Sequence, residues 1–387
     1  MIEKIKARLS RIDFLIVIVM TILILVGLYC ERQAFIASKN RDAIFIKQIA
    51  GILLGYILIM GIMLIDHRTL CSLSFPLYIM MQIVLALTLV FADNKNGVKR
   101  WVVVFGMPLQ PSEVAKIVLI LFLAYLCNRF RSKLDKIYVL VILGIVSLIP
   151  MVLILLEPHL SSSLSLMFIF AIIVYASGIG YKVIGAALAI ILPTVIAMFV
   201  SVVFFHVELP FIESYQVNRV LNYLSNDEAD SQGGDYQQLQ SIGAIGSGGL
   251  HGKLIDSEID DNKEYSLIYA KESDFVFSIV GEDFGFIGSF IVMILYAILI
   301  IRCLMISTRA SDYMGRLISM GVSGYLMFQI FVNVGVATKI LPNTGLPLPF
   351  ISYGLTSLLS SMMGVGLVLN IAAKQRSRAE NRLSFYS

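Results

Sequence analysis

Two short stretches hold the residues best suited to chemistry. The first is QPSEVAK, Gln110–Lys116. Pro111 fits the first turn of a helix, and Ser112 stands near its start. Glu113 and Lys116 are spaced i,i+3 and so share a face. They read either as a self-satisfied ion pair at a helix end or as a charged pair facing a cavity. The second stretch is ESDFVFSIVGEDFGFIGS, Glu272–Ser289. Asp274 sits where a polar segment enters an apolar helix, a place for a helix cap or for a carboxylate that accepts a proton. Glu282 follows eight residues on, a little over two turns, pointing roughly the same way and lower in the membrane. Asp283 is about 100° round from it. A carboxylate that takes a hydroxyl proton, with cations or a metal that stabilise an anionic leaving group, could carry transfer to an alcohol. Asp274 suits the first role, and Lys116, Arg100 and Arg219 suit the second.

The elements that must position these residues are membrane spans. Of 387 residues, 58% are hydrophobic and 14% charged, against roughly a quarter charged in a soluble domain. Ten segments reach the ~20 apolar residues a span needs, at about 12–30, 43–65, 73–92, 112–128, 136–156, 162–178, 182–206, 275–303, 313–337 and 352–373. The first is too long for a signal-peptide core and is expected to be retained. Lys4, Lys6, Arg8 and Arg11 precede it. Arg129, Arg131, Lys133 and Lys136, then Arg302, Arg309 and Arg316, then Lys374, Arg376, Arg378 and Arg382 fall on the same side if the count is ten. The positive-inside bias therefore puts both termini in the cytoplasm, although Arg32, Lys39 and Arg41 run against it. One large excursion interrupts this single membrane domain, a polar and mainly acidic loop over 207–273 on the opposite side. Short helices are expected in it near Glu213–Leu224 and Tyr236–Ala244. The net charge of +4 says little about partners, and no nucleic acid is expected. Cys30, Cys71, Cys127 and Cys303 are scattered, as are the four histidines, and form no metal spacing.

A third stretch, NVGVATKILPNTGLPLPFISYGLTSL from Asn333 to Leu358, is an apolar helix end, a Pro/Gly-rich turn and a new helix. Irregular backbone at membrane depth survives only beside protein or a water-filled cavity, so this is a built re-entrant feature. Both charged groups face the outside, where there is no ATP or nucleotide-sugar pool. A reaction there needs a pre-activated substrate that arrives through the bilayer, and a polyprenyl-diphosphate sugar meets that need.

Five separated motifs then carry a resemblance over nearly the whole chain. GVKRW (Gly97–Trp101), QPSEVAK, YQQLQSIGAIGSGGLHGK (Tyr236–Lys253), SDFVFSIVGEDFGFIG (Ser273–Gly288) and NVGV…TGLPLPFISYG are similar, in order, to signatures of the SEDS family (shape, elongation, division and sporulation proteins, RodA/FtsW/SpoVE-like). The GLPLP turn looks more like the elongation, RodA type. The resemblance implies a peptidoglycan glycosyltransferase that polymerises lipid II on the outer face of the bacterial cytoplasmic membrane. It matches Asp274 to the essential extracellular aspartate, with Glu113 and Lys116 as the polar pair in the same cavity. Ser112, Arg100, Trp101, Arg219 and Gln240 become substrate-binding candidates. It also implies a class B penicillin-binding protein as partner, beside lipid II and the undecaprenyl-diphosphate-linked glycan. A magnesium or manganese ion on Asp274 and the diphosphate is compatible with this chemistry, although no ligand set is visible. Desolvation would raise the Asp274 pKa and a close Lys116 would lower it.

Departures from the family pattern are local. EPHLSS (Glu157–Ser162) stands for E/Q-P-D-L-G-T, so His159 replaces an acid. Lys271, Glu272 and Ser273 replace A-H-T, Lys339 falls where a small or apolar residue is common, and GLTS (Gly354–Ser357) replaces GGSS. Two other readings remain open. A lipid II flippase would use the same cavity, with Glu282 and Asp283 deeper in the membrane as its charges, and a catalytically silent scaffold would only position a transpeptidase.

Overall fold

The computed structural model describes residues 12–36, 38–91, 100–104, 107–157, 159–186, 189, 234–254 and 263–383. In chain order its helices are α1 (Phe14–Ala34), α2 (Arg41–Leu64), α3 (His67–Ser72), α4 (Ser74–Phe91), α5 (Pro111–Arg129), α6 (Ile137–Leu156), α7 (Leu160–Ser177), α8 (Gly234–Ser247), α9 (Val276–Thr308), α10 (Tyr313–Ala337) and α11 (Leu355–Leu383). Among the described residues, nine helices are long and apolar enough to cross a membrane, all but α3 and α8, and the chain is a multi-pass helical membrane protein. They coincide with nine expected spans. The seventh, at about 182–206, lies almost wholly outside the described residues, as do Arg219, the expected helix Glu213–Leu224 and most of the acidic stretch Asp256–Glu264. The expected helix near Tyr236–Ala244 is present as α8. An antiparallel hairpin that hydropathy did not reveal, Val102–Val104 with Met107–Leu109, leads into α5.

Burial sorts the helices into centre and rim. The apolar windows of α5 and α11 are 83% buried and that of α10 is 72%, whereas α2 and α4 reach only 28%. The rim helices turn Ile46, Leu53, Ile57, Ile83 and Phe91 outward. In water such exposure would be costly, but in a bilayer it is the lipid contact. The central helices instead carry polar groups inward: Ser112, Glu113, Lys116, Ser319, Ser323, Gln329, Asn333, Ser360 and Ser361 are all buried.

The helix α9 has 33 residues, about 50 Å if straight, against a hydrocarbon core of about 30 Å. It is not straight. Gly285 has φ 66° and ψ −165° inside it, which separates a short upper segment from the span proper. At that break the chain 248–254 crosses α9 backbone to backbone. Lys253 and Leu254 N–H donate to the Glu282 and Asp283 carbonyls, while Phe286 and Ile287 N–H donate to the Gly249 and Leu250 carbonyls. A Cβ on Gly252 or Gly285 would collide with the other strand's backbone, and Gly285 also needs its positive φ. The glycine-rich SGGLHGK is thus a crossing point.

Candidate active site

The helix α5 begins as its sequence suggests. Gln110 is the N-cap, Pro111 opens the helix and Glu113 lies in its first turn. Lys116 Nζ donates to Glu113 Oε1 at 2.6 Å, and both side chains are buried. The pair is not self-contained. Gln329 Nε2 of α10 donates to Glu113 Oε2 at 3.3 Å, and the ammonium of Lys116 stands 5.6 Å from the centre of the Tyr325 ring. Tyr325 in turn meets Ser361 of α11 at 3.1 Å. Ser112 is buried, and its hydroxyl has no hydrogen-bond partner.

Asp274 lies one residue before Phe275, the N-cap of α9. Its surroundings come from the Pro/Gly-rich turn. Asn333 Nδ2 donates to the carbonyls of Asp274 at 3.0 Å and Leu346 at 2.7 Å. Ser352 Oγ donates to the Ser273 carbonyl at 2.6 Å, and Tyr353 N–H donates to the Glu272 carbonyl at 2.8 Å. Gly345, at φ 73°, faces the carboxylate so closely that a Cβ there would stand 3.1 Å from Asp274 Oδ2. The positive φ favours glycine, and a Cβ there would press on the carboxylate.

His159 joins the two groups. Gln110 Nε2 donates to His159 Nδ1 at 3.3 Å, and the imidazole hydrogen-bonds the backbone of Gly345. Burial, with Arg100 and Lys116 nearby, holds it well below its ordinary pKa, so it is neutral. One set of contacts runs from Glu113 to Gln329 and along α10 from Asn333 to the Asp274 carbonyl, and a second runs from Gln110 through His159 to Gly345, which packs beside the Asp274 carboxylate. Gln329 and Asn333 are one turn apart, about 6 Å along the helix. That short step is how α10 reaches both the Glu113–Lys116 pair and the backbone of Asp274.

Nearby, Arg100 Nε donates to the Glu157 carbonyl at 3.0 Å. Burial pushes the Glu157 carboxyl up to about 8 against the pull of Arg100, and neither of its oxygens has a hydrogen-bond partner. Trp101 is half-buried beside Arg100 at the start of the hairpin. Gln240, on α8, is half-buried, and its Oε1 has no hydrogen-bond partner. Its neighbour Gln238 is the residue tied down, donating to the Val336 and Leu341 carbonyls at 2.8 Å.

Glu282 and Asp283 correct an expectation. They are not charges lining a deeper path. Glu282 accepts from Lys253 Nζ at 2.6 Å and from the Glu264 and Tyr265 N–H groups at 2.9 Å. Asp283 accepts from Lys263 Nζ at 2.6 Å and Tyr29 Oη at 3.0 Å. Both lie above the Gly285 break and fasten the outer loop to α9.

A family model described as cell cycle protein, covering FtsW, RodA and SpoVE, matches residues 8–377. The chain belongs to this family. Among its relatives is the probable peptidoglycan glycosyltransferase FtsW of Enterococcus hirae, 32% identical over 94% of this chain and 93% of that protein. The peptidoglycan glycosyltransferase MrdB of Escherichia coli K12 is 30% identical over 90% of this chain and 91% of its own. A chain of a solved peptidoglycan synthase complex that coordinates polymerization and crosslinking superposes with TM-score 0.76 at 27% identity, covering 94% of this chain and 98% of that one. The rod shape determining protein RodA of Thermus thermophilus gives 0.64 at 24% identity, covering 94% and 97%, and shows the same fold.

In this FtsW/RodA/SpoVE member the departures fall where the chain makes backbone contacts or keeps a polar group. Glu272 and Ser273 meet the turn through their carbonyls, so their side chains are less constrained. Thr356 keeps a hydroxyl that accepts from Gln110 N–H at 3.0 Å. In EPHLSS, His159 holds Gly345 and Ser161 Oγ donates to the Thr344 carbonyl. The segment's task here is to brace the turn facing Asp274. Sequence reading missed Gln329, Asn333, Tyr325 and Gly345 as site residues. The available signal was polar side chains recurring along the otherwise apolar α10.

Proposed function

We propose that this chain is a peptidoglycan glycosyltransferase that joins lipid II units into glycan strands at the outer face of the bacterial cytoplasmic membrane. The observation that carries the reading is that α10 bonds both the buried Glu113–Lys116 pair, through Gln329, and the Asp274 backbone, through Asn333. In this reading the 4-hydroxyl of one lipid-linked disaccharide loses its proton to Asp274 and attacks the anomeric carbon of the lipid-linked growing glycan. The bond to the polyprenyl diphosphate breaks in the same displacement, which inverts α to β. Lys116, oriented by Glu113, and Arg100 offset the charge of the departing diphosphate. Ser112, with its unpartnered buried hydroxyl, and Trp101 contact the substrate, and Gln240 and Arg219 contribute from the outer loop.

A divalent cation, magnesium or manganese, fits as an ion shared with the substrate. Among the described residues no three His, Cys, Asp or Glu side chains form a metal cluster. Asp274 would supply one carboxylate and the diphosphate the remaining charge, the usual pattern for magnesium, which would neutralise the leaving group. The partner is a class B penicillin-binding protein, and both termini face the cytoplasm. Transport across the membrane loses its support, because Glu282 and Asp283 are consumed by the outer-loop contacts.

The test is polymerisation of fluorescent lipid II by the purified chain, with a divalent cation and the transpeptidase partner, beside Asp274→Asn. Polymer from wild type alone is the expected result. Equal polymer from both removes Asp274 as the base, and none from either with partner bound returns the scaffold reading.

A further inference from the structure

The outer helix α8 buries two polar side chains. Gln238 and Ser241 are spaced i,i+3 and share a face, and both are fully buried. Ala244 and Gly248 continue that face inward. Gly248 brings the chain against the Gly281 and Glu282 backbone of α9, where a Cβ would collide. The opposite face, with Tyr236, Leu239 and Ile242, is exposed. A helix that buries an amide and a hydroxyl while exposing its leucine is not placed by apolar burial alone, because buried polar groups are costly unless they are bonded.

Their partners are the ends of the two helices that frame Asp274. Gln238 Nε2 donates to the Val336 carbonyl, in the last turn of α10, and to the Leu341 carbonyl, in the Pro/Gly-rich turn, both at 2.8 Å. Two carbonyl oxygens fix the orientation of the amide, since only its nitrogen can donate. Ser241 Oγ donates to the Ala337 carbonyl at 2.7 Å and lies 2.6 Å from Ser278 Oγ. A hydroxyl has one proton, so Ser278 is the donor in the second bond. The last carbonyls of a helix lack partners within it, and α8 supplies donors to two of them on α10. Ser278 is four residues from Asp274, and Ala337 is four from Asn333, whose amide holds the Asp274 carbonyl. Leu341 leads on to Gly345, which faces the Asp274 carboxylate.

We propose that Gln238 and Ser241 are positioning residues: α8 clamps the C-terminal end of α10 to the first turn of α9 and so fixes where the Asp274 carboxylate stands. Neither side chain touches substrate in this role. The clamp follows from the contacts, whereas its effect on rate rests on Asp274 being the base of the glycosyltransferase reading. Misplacing a reacting group by about 1 Å costs on the order of 100-fold in rate, so bonds at a neighbouring helix end are enough to matter.

The test compares three variants of the full-length protein, with rates expressed per folded, monodisperse chain. Gln238→Leu keeps the bulk and removes both donors. Ser241→Ala removes the hydroxyl, and as the milder change it carries the test if Gln238→Leu does not fold. Leu239→Ala, on the exposed face of the same helix, is the control. In lipid II polymerisation the first two should lose roughly tenfold or more in kcat with KM changed less than about twofold, and the control should match wild type. Unchanged kcat per folded chain would leave the residues a merely structural part and overturn the proposal. A loss confined to KM would overturn it too, by placing them on the substrate. Hydrogen–deuterium exchange gives a readout that needs no activity. Backbone amides within 272–275 and 338–346 should exchange several-fold faster in Gln238→Leu and Ser241→Ala, and unchanged exchange there overturns the clamp. A wild type that makes no polymer would instead count against the glycosyltransferase reading, and the exchange comparison would still decide the clamp.

Discussion

A lysine and a glutamate buried together are poor tools for stability, because the desolvation of both charges offsets most of their attraction. Glu113 and Lys116 therefore need another reason to sit at the centre of the bundle, and charge stabilisation in a reaction is one. Lys116→Met alone strands Glu113 and should cost about 3–5 kcal/mol, read as a large drop in melting temperature. Glu113→Gln with Lys116→Met should recover most of that stability and still fail to polymerise. Wild-type activity in the double variant would reduce the pair to packing. Glu157 poses the opposite case, a buried carboxyl without a hydrogen-bond partner. Its folded pKa, pushed up to about 8, exceeds the ordinary carboxylate value near 4.3, so ionisation works against folding. The penalty is absent below about pH 4, grows through the window and is complete above about pH 8. Glu157→Gln should therefore raise the melting temperature little at acid pH and most at alkaline pH. A gain independent of pH would contradict this.

At the scale of elements, the apolar runs of the spans were legible because a membrane helix declares itself by length and composition, with no need to know its neighbours. The break in α9 was not. Gly285 sits in an apolar run and reads as an ordinary packing glycine; only the crossing chain at Gly252 makes its left-handed backbone necessary. Glu282 illustrates the same limit. By helical period it falls beneath Asp274, yet the loop crossing at Gly252 claims it. Charge-assisted hydrogen bonds contribute about 1.5–3 kcal/mol each, so Glu282→Gln, which turns an amide toward N–H donors, should loosen 248–254 and 263–266. Limited proteolysis should cut at those residues faster in the variant, and an unchanged pattern would deny the clasp its role. Gly285→Ala should act the same way, through the backbone.

Across the whole molecule, one end carries the candidate chemistry and the other is locked by ion pairs. His67 Nε2 and Arg68 Nε hold Asp312 at 3.0 and 2.9 Å, and Lys374 holds Asp66 at 2.8 Å. Burial alone would raise the Asp312 carboxyl, but His67 and Arg68 outweigh it and keep it well below the usual carboxylate range. A depressed folded pKa gives stability that is full above the unfolded value, about 3.9, and is lost as pH falls through the folded one. Asp312→Asn should thus lower the melting temperature at neutral pH, and its difference from wild type should shrink below about pH 4. A constant difference would mean that the charge contributes nothing.

Sequence alone determined that this is a polytopic membrane protein, and local spacing together with the family resemblance singled out Asp274, Glu113 and Lys116 as the residues to weigh. Those readings rest on composition, spacing and motif order, which one dimension contains. Which carboxylates are committed to structure was decided only by tertiary contact. Glu113 meets Gln329 across 216 residues of chain, Glu282 is taken by the outer loop, and His159 reaches Gly345 to brace the turn before Asp274. Hydrogen-bond partners that far apart are chosen by how the helices pack, and packing depends on every helix at once.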